Sequence, residues 1–184
     1  ALAKHVAVNK PATVEEFYAQ AWDGDEDNVE AFIQQVIGKL GENIKVTHLG
    51  VFENAGGKVD SYIHHNDKLG VLVSVSAEAG DKLDAFTKDL GLHIAFHNPP
   101  HMTREEVPAE DVERERAIHR ETVKDKPAEI QDKIIDGKLG KFFGELVLPE
   151  QPWVKDDKKS VNKVLAAALG GDAKIEGFFR FDIG

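Results

Sequence analysis

The sequence predicts an α+β fold made of two related subdomains with antiparallel sheets and packed helices, the second interrupted by an inserted antiparallel helical hairpin. Three observations support this prediction. The stretch "HVAVNKP" at residues 5–11 returns as "HIAFHNP" at residues 93–99, with His, an aliphatic residue, Ala and Pro in the same places. Each copy is followed by further helical patterns and then by a segment rich in β-branched residues. The segment 104–145, in which half of the residues are charged, has no strand pattern and interrupts the second copy.

Three helices are predicted in the first subdomain. The segment before Pro11 carries one apolar helical face, which the proline cannot continue. Thr13 and Glu16 have capping-box spacing for a second helix, because the threonine oxygen can accept from the amide three residues further on. From residue 29 to residue 40 apolar side chains recur at helical spacing, and Gly41 supplies the left-handed end of that helix.

Three strands are predicted to form an antiparallel meander. The segments 43–53, 58–65 and 68–78 are rich in β-branched and aromatic residues, and short polar turns separate them. An apolar stripe from Leu83 to His97 then predicts a helix that ends at "NPP". The sequence therefore predicts helices against one face of a sheet.

The charged segment is predicted to fold as two helices that turn at "KDKP", residues 124–127. The second helix carries an apolar stripe, and its other face is solvated. This stripe consists of Ile135, Leu139, Phe142 and Leu146. After a loop at residues 148–157, Ser160 caps a further helix that ends at Gly170, and "AKIEGFFRFDI" at residues 173–183 is the last strand.

Composition excludes several classes of partner and site. The formal net charge is -10 at pH 7, so nucleic acid and anionic membranes would repel the chain, and a basic or neutral protein surface is the expected partner. There is no cysteine, which excludes a disulfide framework, a thiol nucleophile and a zinc ribbon, and which agrees with a reducing compartment. No apolar run approaches the ~20 residues that a membrane span needs.

Histidines have the clearest spacing for chemistry in this sequence. His93, His97 and His101 recur every fourth residue, which on a continuous helix would align three metal ligands. Two prolines break that helix before His101, and no glutamate stands beside His93 as a general base, so a structural role is favoured over a histidine-dependent metalloenzyme. His64 and His65 lie where a strand gives way to a turn, and both a binding role and a solvated turn fit them.

The glycine pairs and the acidic turn of this sequence are not complete phosphate-binding or calcium-binding motifs. The glycine pairs at 56–57 and 170–171 lack the Lys-Ser/Thr of a phosphate loop. The acidic turn at 23–27 lacks the twelve-residue calcium loop with its closing glutamate. No cofactor and no metal is therefore predicted, and the residues favour a binding protein over an enzyme.

Seven motifs follow in order the pattern of elongation factor Ts, the bacterial and organellar translation factor, and the resemblance covers nearly the whole chain. They are "GKLGENIKV" (38–46), "SYIHHNDKLGVLV" (61–73), "LHIAFHNP" (92–99), "EEVPAEDVERERAI" (105–118), "KPAEIQDKIIDGKLGKFF" (126–143), "EQPWVKDDKKSV" (150–161) and "GFFRFDIG" (177–184). The resemblance implies two related core subdomains, the second carrying an inserted coiled coil used in dimerisation. The expected boundaries are 1–56 for the first subdomain, 57–103 and 149–184 for the two parts of the second, and 104–148 for the coiled coil.

The resemblance also implies a function. Such a protein is a guanine-nucleotide exchange factor, not an enzyme, that binds the GTPase EF-Tu and promotes GDP release. Matching the family's motifs residue by residue identifies five partner-binding candidates. They are Leu40, Gly41, His64, Val154 and Lys155. A homodimer through the hairpin at 104–148 is implied as well, and the alternative function is that of a structural dimerisation module without exchange activity.

The sequence departs from the family's pattern near its start and at two motif positions. Family members begin with a small helical domain and a "TDFV" motif, whose Asp-Phe pair intrudes beside the metal site of the GTPase. Neither is present, which predicts a truncated or processed form in which binding survives better than exchange. Trp153 replaces the usual Phe after "QP", and Asp125 stands where the coiled-coil turn usually has Gly. The compartment that the family implies is the bacterial cytoplasm, or a mitochondrial or plastid matrix.

Overall fold

The computed structural model describes all 184 residues, Ala1 to Gly184. It contains seven α-helices and five β-strands, so the predicted α+β class is confirmed. The chain divides into two compact units, Ala1–Phe52 (unit 1) and Glu53–Gly184 (unit 2). None of the helices has an apolar stretch long enough to cross a membrane.

Unit 1 contains the three predicted helices. They are α1 (Leu2–Asn9), α2 (Val14–Ala19) and α3 (Val29–Leu40). Side chains cap two of them, because the Thr13 hydroxyl accepts from the Glu16 amide and the Asn28 side-chain oxygen accepts from the Ala31 amide. The buried core of the unit consists of Phe17, Val29 and Ile33. Local sequence signals were sufficient to predict these helices.

The strand predicted at residues 43–53 is wrong, because this segment of unit 1 has no regular secondary structure. A strand needs a neighbour that hydrogen-bonds its backbone, and Val46 is satisfied by a side chain instead. The Val46 amide donates to the Tyr18 hydroxyl at 2.8 Å, and that hydroxyl lies 3.4 Å from the Val46 carbonyl oxygen. Ile44, Val46 and Leu49 pack against the helical core. Their apolar side chains are therefore used for packing, and unit 1 contains no strand.

Unit 2 is built on a three-stranded antiparallel sheet. Its strands are β1 (Gly57–Ile63), β2 (Leu69–Ser76) and β5 (Lys174–Asp182), and the spatial order is β1-β2-β5. The predicted meander would have placed the first of these strands in the centre. Instead β2 is central and pairs with the last strand of the chain, so the meander is wrong in its first member, 43–53, while the final strand is confirmed.

Helices α4 (Asp81–His97) and α7 (Val161–Leu169) pack with the sheet into one core. The alternation of β2 places its three buried valines on one face of the sheet. The core includes Val71, Val73, Val75, Leu83, Leu90, Ile94, Leu148, Val161 and Leu165. As predicted, the Ser160 hydroxyl caps α7 by accepting from the Lys163 amide, and Gly170 ends the helix with a positive φ of 95°.

The charged segment forms two consecutive helices, α5 (Ala109–Val123) and α6 (Ala128–Leu146), as predicted. They contact each other and share a separate apolar cluster. This cluster consists of Val107, Val123, Ile135, Leu139, Phe143 and Val147. The segment leaves and rejoins the core at one place, because the His101 amide donates to the Leu146 carbonyl at 3.2 Å and the Leu148 amide donates to the His101 carbonyl at 2.9 Å. The coiled-coil geometry and its use in dimerisation stay predictions.

The loop predicted at residues 148–157 contains regular structure. A short 3₁₀ helix at Leu148–Glu150 is followed by a hairpin of β3 (Pro152–Trp153) and β4 (Asp156–Ser160). Trp153 is buried in the core and anchors the hairpin, whereas the two prolines had indicated an irregular segment. The turn of this hairpin consists of Val154 and Lys155.

Candidate partner-binding site

His93 is a fully buried histidine on α4, and both of its ring nitrogens are hydrogen-bonded. The Val154 amide donates to Nδ1 at 3.2 Å, so the proton of the neutral ring is on Nε2, which lies 3.0 Å from Oε1 of Gln151. Burial lowers the pKa of His93 to about 4, with smaller effects from the Gln151 hydrogen bond and from His97. His93 is therefore neutral at pH 7 and has the structural role that the sequence favoured.

The histidine–glutamine and histidine–tryptophan contacts of unit 2 have counterparts in unit 1. Nε2 of His5 lies 2.9 Å from Oε1 of Gln20, and Trp22 stacks on His5 as Trp153 stacks on His93. Each glutamine also accepts through its carbonyl oxygen, at 3.0 Å, from the first amide of the following helix. The two copies of the sequence repeat are therefore alike in their side-chain contacts as well as in their helices.

The ends of the two repeat helices are alike too. Lys10 and Asn98 follow them with left-handed φ values of 47° and 46°. Beyond each, a glutamate oxygen accepts from a backbone amide four residues earlier, and the two carboxylates are those of Glu16 and Glu106. The repeat thus extends further along the chain than the seven residues that revealed it.

Gln20 and Gln151 are the residues of this arrangement that the sequence reasoning missed. A signal for them exists, since "QAW" at residues 20–22 matches "QPW" at residues 151–153. The match is hard to see because the charged helices separate the second tripeptide from its histidine.

Two predicted site residues, Val154 and Lys155, form the turn of the β3–β4 hairpin in unit 2. Val154 is half-buried and is tied to α4 by its amide contact with His93. Lys155 is exposed, and its Nζ lies 2.6 Å from Oδ1 of Asp89 on the same helix. This turn therefore presents an apolar side chain and a cation, and α4 contacts it through the Val154 amide and the Lys155 side chain.

His64 lies just after β1. Its Nδ1 is 3.0 Å from the Tyr62 hydroxyl, and its ring lies 4.2 Å from that of His65. Tyr62 packs against Gly91 of α4 so closely that a Cβ on this glycine would lie 2.7 Å from the tyrosine Cβ. His64 and the β3–β4 turn are thus both attached to α4, through different residues.

Leu40 and Gly41 end α3 in unit 1. The Leu40 side chain is 63% exposed although it is apolar. Gly41 has a φ of 73°, and its amide donates to the Ile37 carbonyl at 2.8 Å. This left-handed conformation suits glycine because a side chain would be strained there. The structure thus leaves Leu40 available for contact with another molecule.

The three evenly spaced histidines do not line up as metal ligands. The rings of His93 and His97 stack at 4.4 Å, but both nitrogens of His93 are engaged by protein groups. His101 lies beyond the end of α4. The structure places no group of three His, Cys, Asp or Glu side chains where they could hold one metal ion.

Comparison with known proteins identifies the family. The family model for elongation factor Ts matches residues 1–184, the whole chain. The elongation factors Ts of Deinococcus deserti and Deinococcus radiodurans are each 40% identical over 185 aligned residues, which cover 100% of this chain and 65% of the relative. That of Trichlorobacter lovleyi is 36% identical over 194, covering 100% of this chain and 62% of the relative. The chain spans about two thirds or less of the length of these curated relatives. It belongs to the elongation factor Ts family.

Proposed function

We propose that this chain binds EF-Tu and promotes the release of GDP from it, in the bacterial cytoplasm or in an organellar matrix. The observation that carries the proposal is the family match over the whole chain. The exposed side chains at the motif-matched positions, above all Leu40 and Lys155, support it. Binding to a protein rather than to nucleic acid also suits the net charge of -10.

An exchange factor of this kind works by differential binding. If the chain binds the nucleotide-free GTPase more tightly than the GDP-bound one, linkage requires that it weaken GDP binding by the same factor. No group has to transfer a proton or attack a bond. What the protein must supply is a surface that fits one state of the GTPase better than the other.

The five candidates divide between the two units. Leu40 and Gly41 belong to unit 1, and we assign them to the contact with the GTPase domain that the family uses to disturb the nucleotide site. His64 and the turn of Val154 and Lys155 belong to unit 2, and we assign Val154 and Lys155 to the grip on another domain of EF-Tu. Exposed Leu40 supplies apolar area, and Lys155 supplies a cation oriented by Asp89.

The test is the release of a fluorescent GDP analogue from EF-Tu with and without this chain, with complex formation measured in parallel. Acceleration that Leu40→Ala reduces, while complex formation persists, would support an exchange role for unit 1. Binding without acceleration would mean that the chain binds EF-Tu without disturbing its nucleotide site. Absence of any complex at micromolar concentrations would refute the proposal.

Self-association through α5 and α6 is a second candidate function. The observation that favours it is the exposure of two isoleucines on these helices, since Ile118 is 52% exposed and Ile130 is 43% exposed. The backbone before α5 and the backbone at the end of α6 are hydrogen-bonded to each other at His101 and Leu146. A short linker can therefore replace the segment between these two residues. Sedimentation of this deletion variant tests the idea, and persistence of a dimer would exclude the helices as the dimer contact.

A further inference from the structure

Gln151 and His93 form a continuous line of hydrogen bonds between α6 and the turn at Val154. The Gln151 side-chain amide donates to the Glu145 carbonyl in the last turn of α6 at 2.9 Å. Its oxygen lies 3.0 Å from Nε2 of His93, and Nδ1 of His93 accepts from the Val154 amide at 3.2 Å. The pair thus connects the inserted helices to the turn through a buried histidine.

We propose that His93 and Gln151 are positioning residues that hold the Val154–Lys155 turn in its partner-binding conformation and connect it to the end of α6, and that protonation of His93 releases the turn. This inference rests on the proposed function, because the binding role of the turn comes from there. It adds that a buried pair of side chains, His93 and Gln151, controls the conformation of the turn.

The effect of protonation follows from the hydrogen bonds of the two nitrogens of the His93 ring. With Val154 donating to Nδ1, only the neutral ring with its proton on Nε2 satisfies both neighbours. A second proton would sit on Nδ1 and face the Val154 amide, so a hydrogen bond would become a contact between two donors. The amide would then have to move away, and the turn would move with it.

Few ionisable groups surround this ring. On α4 they are Asp89, which is paired with Lys155, and His97, whose charge opposes protonation of His93. At the end of α6 and in the 3₁₀ helix after it they are Glu145 and Glu150, and Glu150 is paired with Arg104. Burial lowers the pKa of His93 to about 4, so at neutral pH the ring is neutral and keeps its hydrogen bond with the Val154 amide.

Unit 1 provides a matched control. Its His5–Gln20 pair has a similar hydrogen bond, with 2.9 Å between the ring nitrogen and the amide oxygen. The Gln20 amide, however, lies 3.5 Å from the Asn9 carbonyl at the end of α1, within the same unit. A change in this pair should therefore affect unit 1 without acting on Val154.

The experiment uses the full chain and the substitution Gln151→Glu, which places a carboxylate against Nε2 and favours the charged ring of His93. Nuclear magnetic resonance follows the His93 ring and the hydrogen-exchange protection of the Val154 amide from about pH 8 to about pH 5. In Gln151→Glu the protection factor of Val154 should fall about tenfold as the His93 ring takes up its proton, and EF-Tu affinity should fall in parallel. The wild type and Gln20→Glu should show neither change over this range.

Protonation of the His93 ring in Gln151→Glu without a change at Val154 would overturn the proposal. If that variant does not fold, the wild type is titrated to about pH 4, where the His93 ring and the Val154 amide should share one midpoint, and separate midpoints would overturn it. The amide measurement needs no partner. Absence of an EF-Tu complex with the wild type would instead overturn the proposed function, and with it the binding role given to the turn.

Discussion

The imidazole ring of His93 lies almost parallel to the indole ring of Trp153, with 5.3 Å between the ring centroids and 12° between the planes. Trp22 stacks on His5 at the same centroid distance. Each unit thus has a tryptophan over the histidine that bonds a glutamine. Since these are the only two tryptophans in the chain, each unit has its own fluorescent reporter.

Removing the tryptophan side chain should lower the stability of unit 2 more than that of unit 1. Trp153 is buried and also stacks on Phe86, so Trp153→Ala should lower the free energy of unfolding by about 3–5 kcal/mol. Trp22 is only half-buried, and Trp22→Ala should cost less. Urea denaturation followed by circular dichroism measures both losses, and the fluorescence of the remaining tryptophan shows whether the other unit is unchanged. Equal losses would contradict this account of the two cores.

Stability should depend on pH through His93. Its pKa is about 4 in the folded chain and about 6.5 in the unfolded one, so only the unfolded chain takes up a proton between these values. The folded state should therefore lose on the order of 3 kcal/mol as the pH falls from about 6.5 to about 4. His93→Gln should lack this part of the pH dependence, and urea unfolding at several pH values measures it. The exposed His65→Gln is the control, which should keep the wild-type pH profile.

Gly91 should not tolerate a side chain. A Cβ at this position would lie 2.7 Å from the Tyr62 Cβ, so Gly91→Ala forces strand β1 and α4 apart and should cost about 1–3 kcal/mol. The shift should also disturb His64, whose Nδ1 contacts the Tyr62 hydroxyl. Thermal unfolding and the His64 ring resonances measure the two effects. Gly137→Ala on α6 meets no atom within 4 Å and should be neutral or stabilising, and a similar loss in both variants would contradict the steric explanation.

Lys155 should matter for binding and hardly for stability. Its ion pair with Asp89 is solvent-exposed, and such pairs contribute about 0–1 kcal/mol. Lys155→Ala should therefore unfold at nearly the wild-type urea concentration but bind EF-Tu about tenfold more weakly, which is about 1.4 kcal/mol. Calorimetry of the complex measures the affinity, and the exposed Lys163→Ala is the control. Unchanged affinity in Lys155→Ala would remove this residue from the site.

Helices were predictable because their signals are local. A helix satisfies its own backbone hydrogen bonds within four residues, so apolar spacing, Thr13, Ser160 and Gly41 were enough to locate the elements that they begin or end. Strands need partners that are distant in sequence. The segment 43–53 has the composition of a strand, yet the Tyr18 hydroxyl takes the hydrogen bonds of Val46. The third strand of the sheet is instead β5, from the end of the chain.

The candidate site, like the fold, could be predicted from the sequence only in part. The sequence by itself determined the repeat and the place of the charged insertion, and it named Leu40, His64 and Lys155 as candidates, because each is a matter of local pattern or motif. Only the tertiary structure decided that Asp89 holds Lys155 and that Gln151 joins His93 to α6. Asp89 and Lys155 lie far apart along the chain, as do His93 and Gln151, and they meet because a shared apolar core packs the hairpin against α4.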